Sequence, residues 1–285
     1  MAVKSLDLEI HPGQVFGLLG PNGSGKTTTI SMVLDLVRPT AGSVQLFGLP
    51  LAQHRWACLR RIGAIIESPA FYPYLSGRDN LRLMARAVGD VPESAVDDAI
   101  DRVGLTERAK SAYKTYSLGM KQRLGIAFTL VRQPDFVILD EPTNGLDPAG
   151  TREVRELIIA LAREGRTVLL ASHLLHEVQQ VCSHVAILKR GELLAQGAVE
   201  EMLRGDGSLL LRADDLAALQ RALEQVEWLG AVEQSNGYLR VRAPVDSAAR
   251  VNALLAERGI FLSELRPEES TLEEYFLDLT EESDE

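Results

Sequence analysis

Short apolar runs of strand length alternate with longer stretches of helical period through the first 200 residues, the alternation of an α/β fold. VFGLLG, Val15–Gly20, reads as a strand, and Lys26–Arg38 as a helix that must stop at Pro39. Further strands are predicted at Ser43–Phe47, after the turn Thr40-Ala41-Gly42, and at Ile62–Ile66. The pattern then turns helical. Ser76 and Asp79 fit a capping box, and Gly89 ends the helix they open. A second helix over Glu93–Val103 stops at Gly104. A third, Ser117–Gln133, ends before Pro134, with Met120, Leu124, Ala127 and Val131 on one face. Three successive helices inside an α/β pattern predict an inserted helical subdomain over about residues 76–134.

The strand signal returns at Phe136–Leu139. Asp147-Pro148 supplies a cap and a first-turn proline for the next helix, and Thr167–Ala171 is another strand. His184–Leu188 and Glu192–Gln196 flank KRG as a hairpin. Gly205, Asp206 and Gly207 read as a boundary, dividing the chain into 1–204 and 205–285. Beyond it, strands at Ser208–Arg212, Ala231–Gln234, Tyr238–Val241 and Ile260–Leu265 interleave with helices at Leu216–Trp228 and Val245–Arg258. That order predicts a small α+β unit of split βαβ, ferredoxin-like type. A last helix, Thr271–Leu279, precedes an acidic tail.

Composition narrows the class. The 285 residues allow one large domain or two, and 46% hydrophobic with 25% charged residues is ordinary for a globular chain. No run approaches the ~18 apolar residues of a membrane-spanning helix, and no secretory signal is visible. Cys58 and Cys182 make no disulfide framework and suit a reducing compartment. The net charge of −10 disfavours binding to nucleic acid through a general field.

The strongest chemical signal is GPNGSGKT: Gly20, Pro21, Asn22, Gly23, Ser24, Gly25, Lys26 and Thr27, with Thr28 following. It matches the phosphate-loop pattern and stands between a strand and a helix, the context that gives the pattern meaning. The glycines let backbone amides and the helix N-terminus point at phosphate oxygens. Lys26 is expected to reach the β- and γ-phosphates, and Thr27 to offer its hydroxyl to Mg²⁺. FVILDE supplies the acidic half: Asp140 to hold Mg²⁺, and Glu141, pointing elsewhere, to polarise an attacking water as general base. These parts predict nucleoside triphosphate hydrolysis. DPAG at Asp147–Gly150 mimics a GTPase motif, but no guanine-specifying [NT]-K-x-D exists in the chain.

Three further segments carry a resemblance. YSLGMKQ, Tyr116–Gln122, is similar to the LSGGQ signature of ATP-binding cassette (ABC) proteins. NGLD, Asn144–Asp147, resembles their D-loop, and ASH, ending at His173, their switch histidine. The chain is therefore identified as a member of the ABC-type ATPases: a P-loop NTPase with an inserted helical subdomain and a C-terminal accessory unit. The resemblance implies ATP and Mg²⁺ as ligands and a head-to-tail homodimer, or a pair with another ABC subunit, closed around two ATP. In it, Ser117 and Gly119 meet the γ-phosphate held by the partner. His173 holds the γ-phosphate and the attacking water in its own chain's site, and Asp147 couples the two sites. The resemblance also implies a separate integral membrane permease and a place on the cytoplasmic face of the membrane. The opening of the cassette, IIESPAFYPYLSG, YSLGMKQRLGIA and the C-terminal unit look most like antibiotic and multidrug export ATPases of the bacitracin and daunorubicin type. The alternative class is a non-transport ABC ATPase acting on ribosomes or DNA.

The sequence departs from the family in three places. Tyr116, Leu118 and Met120 replace the signature's Leu, Gly and Gln. Glu67 stands where the Q-loop glutamine is expected, and is read as linking Mg²⁺ to permease contact. Only 19 residues precede Gly20, with Phe16 the sole aromatic among them, so a first strand with an adenine-stacking aromatic is expected to be missing and ATP to bind weakly. Phe71, Tyr72 and Tyr74 follow Glu67 closely; they form either an exposed docking patch or the core of the helical subdomain. His173, His176, Cys182 and His184 match no zinc signature, and His176 and His184 read as structural or exposed. The C-terminal unit either stabilises or regulates the dimer, or is a passive appendage.

Overall fold

The computed structural model describes residues 2–67, 69–89, 91–203, 207–235, 237–244, 247–268 and 271–282. It falls into two compact units, Met1–Ala198 and Val199–Glu285, so the division precedes the glycines at 205 and 207. In the first unit the order is β1 (Val15–Leu19), α1 (Lys26–Val33), the short strands β2 (Gln45–Leu46) and β3 (Leu49–Pro50), α2 (Leu51–Leu59) and β4 (Ile62–Ile65). Then come α3 (Gly77–Val88), α4 (Glu93–Arg102) and α5 (Leu118–Leu130), followed by β5 (Phe136–Asp140), α6 (Pro148–Arg163), β6 (Thr167–Ser172), α7 (Leu175–Val181), β7 (His184–Lys189) and β8 (Glu192–Ala198).

The sheet order is β4-β5-β6-β1-β7-β8, parallel except for β8, which pairs antiparallel with β7 as a hairpin. Every residue of β1 and β5 is buried, as apolar strands covered on both faces must be. Phe16, Leu18, Ile138, Leu169, Ala186 and Leu188 form one core with Ile30, Leu51 and Cys58. Each large apolar side chain buried this way contributes on the order of 1.5–3 kcal/mol. On β1 the absence of a side chain is itself used: a Cβ on Gly17 would stand 2.5 Å from a methyl of Val178, so α7 packs directly on the strand. Leu6, Leu8 and Ile10 pack against the core, although residues 2–14 form no strand.

Caps set the helices that position the site. Ser76 Oγ accepts from Asp79 N at 3.0 Å and donates to Asp79 Oδ2 at 2.6 Å, and Gly89 ends α3 in a positive-φ conformation (128°). Ser117 caps α5, accepting from Met120 N, and Asp147 caps α6, accepting from Gly150 N at 2.9 Å ahead of Pro148. The helix after the phosphate loop corrects the sequence reading. It ends at Val33, not Arg38, because Asp35 turns left-handed (φ 56°) and the Leu36 and Val37 amides fold back onto Ser31 O. Asp35 is then held by Arg55 Nε at 2.5 Å from α2, a helix the hydrophobic pattern did not predict.

The second unit contains α8 (Val199–Leu203), β9 (Ser208–Ala213), α9 (Leu216–Glu224), β10 (Val232–Ser235), β11 (Tyr238–Arg242), α10 (Ala248–Glu257), β12 (Leu262–Pro267) and α11 (Leu272–Glu282). Its four strands pair antiparallel in the order β10-β11-β9-β12, a split βαβ arrangement. Leu209, Leu211, Leu239 and Val241 pack beneath Leu219, Leu223, Val251 and Leu255 of α9 and α10. The start predicted for α10 at Val245, and Gly205 and Asp206, lie outside the described residues.

Candidate functional site

The parallel register brings three loops to one edge of the sheet. Leu19 pairs with Ser172, and Ala171 pairs with Asp140, so β1, β5 and β6 end side by side. Loops leaving the carboxyl ends of neighbouring parallel strands form a crevice. Here they deliver Gly20–Thr28, Asp140-Glu141 and His173.

The loop after β1 folds tightly because Gly20, Gly23 and Gly25 take φ of 151°, 81° and 108°. A Cβ on Gly20 would stand 2.2 Å from Leu188 O, so no side chain fits there. Lys26 is buried, and its Nζ donates to Gly20 O at 2.7 Å and Pro21 O at 3.4 Å, wrapping the loop around the ammonium. No acidic residue occupies the first turn of α1, so the helix N-terminus presents its positive end without compensation. A cavity of about 330 Å³ opens there, lined by Asn22, Gly23, Gly25, Lys26, Thr27 and Thr28 together with Glu141 and Ala2. Ser24 of the same loop is buried, with an Oγ that has no hydrogen-bond partner.

Thr27 Oγ1 donates to Asp140 Oδ2 at 2.9 Å. Asp140 is 4% exposed, and its Oδ1 has no hydrogen-bond partner. Burial pushes this carboxyl above the usual aspartate range; Thr27 and Lys26 oppose the shift, while the charges of Glu141 and Glu67 add to it. A buried carboxylate oxygen without a donor, beside a hydroxyl, suits a hard divalent cation such as Mg²⁺. Glu67 therefore faces this site electrostatically, from an exposed position at φ 60°.

Glu141 also adopts a left-handed backbone, φ 50°, which aims its side chain away from that of Asp140. Its two oxygens divide their partners. Oε1 lies 3.6 Å from Lys26 Nζ, and Oε2 accepts from His173 Nδ1 at 2.8 Å. Lys26, Glu141 and His173 thus form one chain of contacts across three strand ends. Two residues that the sequence reading missed sit beside it: the hydroxyl of buried Thr143 donates to Glu177 Oε2 in the first turn of α7. Their only sequence signal is offset, Thr143 two residues past Glu141 and Glu177 four past His173.

Ser117 and Gly119 do not line the cavity. They open α5, and the nearest atom to a Cβ on Gly119 would be Gly150 Cα at 3.7 Å, so the signature and D-loop helix starts abut within one chain. Asp147 spends its Oδ1 on capping α6. The aromatic cluster divides: Phe71 meets Tyr113 edge-on at 5.3 Å, whereas Tyr72 and Tyr74 are 58% and 79% exposed. His176 pairs with Gln180, His184 with Gln14, and Cys182 is buried against Gly17.

Comparison with known proteins places this geometry. A model described as ABC transporter matches residues 3–144. The bacitracin transport ATP-binding protein of Bacillus licheniformis is 38% identical over 281 residues, 98% of this chain and 92% of that protein. The lantibiotic transport ATP-binding protein of Streptococcus pyogenes is 40% identical over 194 residues, covering 68% of this chain and 83% of its own. Among solved structures, cbiO1 of Clostridium perfringens, part of the ABC transporter complex cbiONQ, is 29% identical with a TM-score of 0.64 over 70% of this chain and 83% of that one. The chain belongs to the ABC transporter family, as one of its ATP-hydrolysing subunits.

Proposed function

We propose that two copies of this chain close around two ATP molecules and drive a separate membrane permease that exports an antibiotic, peptide or drug. The observation that carries the reading is the Glu141 carboxylate, suspended between Lys26 and His173 in the lining of the phosphate cavity. The amides of Gly20–Thr28 and the Lys26 ammonium hold the triphosphate. Thr27 and Asp140 hold Mg²⁺, which supplies charge neutralisation to the phosphate oxygens when bound. Glu141 accepts a proton from water as the water oxygen attacks the γ-phosphorus, and the bond to the β–γ bridging oxygen breaks. His173 donates its Nδ1–H to Glu141 Oε2 and so holds the carboxylate in place for that proton transfer.

Ser117 and Gly119 lie outside the cavity of their own chain, which supports their serving the cavity of a second copy. In this arrangement Asp147, at the start of α6 beside Gly119, carries information between the two sites. Exposed Tyr72 and Tyr74, near Glu67, offer the apolar surface on which a permease docks. Among the described residues no helix is long and apolar enough to cross a membrane, so on this reading the chain sits on the cytoplasmic face through its permease. The similarity to bacitracin and lantibiotic transport proteins supports export of a peptide antibiotic.

The test is Mg²⁺-ATP turnover of the chain with and without its permease, beside Glu141→Gln. The reading predicts stimulation by the permease, and for the variant a loss of turnover of about 10²-fold or more with ATP-trapped dimers. A fully active Glu141→Gln chain would remove the proposed base.

A further inference from the structure

We infer that Thr143 and Glu177 are positioning residues for hydrolysis, their hydrogen bond setting the contact between Glu141 and His173. The inference rests on the roles proposed above for those two residues. The β5–β6 ladder ends where Asp140 pairs with Ala171. Past that point one backbone bond, Glu141 N to Ala171 O at 2.9 Å, still ties the segments. Glu141 then turns left-handed, and His173 lies beyond the last residue of β6. The two functional side chains therefore meet outside the region where the sheet fixes their separation.

Two side-chain bridges span that gap. One is Glu141–His173 itself. The other is Thr143–Glu177, two residues further along one segment and four along the other. Its supports are local and rigid. The Thr143 carbonyl accepts from Leu146 N at 3.1 Å, closing a turn, and the Glu177 amide donates to Leu174 O at 3.2 Å in the first turn of α7. Helix α7 is in turn fixed on β1 through Val178 and Gly17. Thr143 is 8% exposed, and neither it nor Glu177 lines the phosphate cavity, so the pair has no direct route to the nucleotide. Its action is on geometry: it holds the loop of residues 141–146 to a helix anchored on the sheet. Catalytic groups lose much of their rate when displaced by about 1 Å, whereas binding of the triphosphate by the separate loop after β1 is not touched.

The experiment is steady-state ATPase of the full chain with Mg²⁺-ATP, in Thr143→Val, Thr143→Ser, Glu177→Gln and Glu177→Leu, alone and with His173→Ala. Thr143→Val keeps the shape and removes the donor; it is expected to lower kcat about five- to tenfold with KM within about twofold of the parent. Thr143→Ser and Glu177→Gln keep a donor and an acceptor, and should stay within about twofold of the parent in kcat. Glu177→Leu should match Thr143→Val, which guards against a folding defect peculiar to one position. In chains carrying His173→Ala, Thr143→Val should change kcat by less than about twofold, because both act through one contact. Parental kcat in both Thr143→Val and Glu177→Leu, a loss confined to KM, or a full further loss on top of His173→Ala would overturn the inference. If His173→Ala itself turns over like the parent, the proposed role of His173 fails, and the inference with it.

Discussion

Thr27 gives its hydroxyl hydrogen to Asp140 Oδ2 at 2.9 Å, while the other oxygen of the same buried carboxylate has no donor. Burial raises the folded-state pKa of Asp140 above the ordinary value. Folding therefore disfavours the ionised form relative to the unfolded chain. The group's contribution to stability is fully present below the ordinary aspartate pKa, near ~3.9, and is lost as pH rises through the raised one. Mg²⁺, if held at Asp140 as proposed, needs the ionised form. Its affinity should fall as pH drops through that raised value, at a higher pH than an ordinary aspartate would give. Glu67→Gln should move the midpoint to lower pH, since the Glu67 charge adds to the shift. Asp140→Asn should raise the melting temperature of the ligand-free chain and cut Mg²⁺-dependent turnover by about 10²-fold or more. Calorimetric titration of Mg²⁺ across pH, melting curves and ATPase assays check these expectations.

Tyr116 occupies a signature position where leucine is the family residue, and the structure shows what the ring does. It is 5% exposed, its hydroxyl donates to Arg108 O at 2.7 Å, and the same oxygen lies 2.2 Å from where a Cβ on Gly77 would stand. Gly77 is the first residue of α3, where alanine would otherwise be the better helix former. The collision outweighs that preference. Gly77→Ala should destabilise the chain by about 1–3 kcal/mol in denaturant unfolding, and Tyr116→Leu in the same chain should recover part of the loss. Equal losses with and without Tyr116→Leu would show that the ring is not the obstacle.

Glu67 is exposed, yet its charge is felt at Asp140. The proposed link between the Mg²⁺ site and the permease makes a divided outcome the expectation. Glu67→Ala should leave the melting temperature unchanged and lower permease-stimulated ATPase by several-fold, about tenfold at most. The activity of the chain without permease should fall less. Transport and stimulated turnover both at parental level would remove Glu67 from the coupling route.

The phosphate loop was legible because its chemistry is local: three glycines, a lysine and a threonine between a strand and a helix determine the fold of that turn by themselves. Ser76, Ser117, Asp147 and Gly89 were legible for the same reason, since capping reads only a few neighbouring residues. The end of α1 was not. It depends on Asp35 tolerating a left-handed backbone under the hold of Arg55, a residue 20 positions away. Helix α2 carries a non-helical His54 and two buried residues, too little periodicity to read. Phe71 could not be separated from Tyr72 and Tyr74 without Tyr113, a residue of the helical insertion whose ring it meets from the segment before it. The Thr143–Glu177 bond escaped because it is made by tertiary structure, 34 positions apart.

The central claim is that each nucleotide site is finished by a second copy of the chain, and mixing two inactive variants tests it most directly. Lys26→Ala disables the phosphate loop. Gly119→Asp puts a carboxylate at the signature, where the nearest atom to a new Cβ is 3.7 Å away, so the fold has room for it. Each variant alone should be inactive. In an equimolar mixture half the dimers are mixed and each mixed dimer retains one whole site, so ATPase should return to about one quarter of the parental rate. A mixture as inactive as its components, or a Gly119→Asp chain that hydrolyses ATP at the parental rate, would contradict the account.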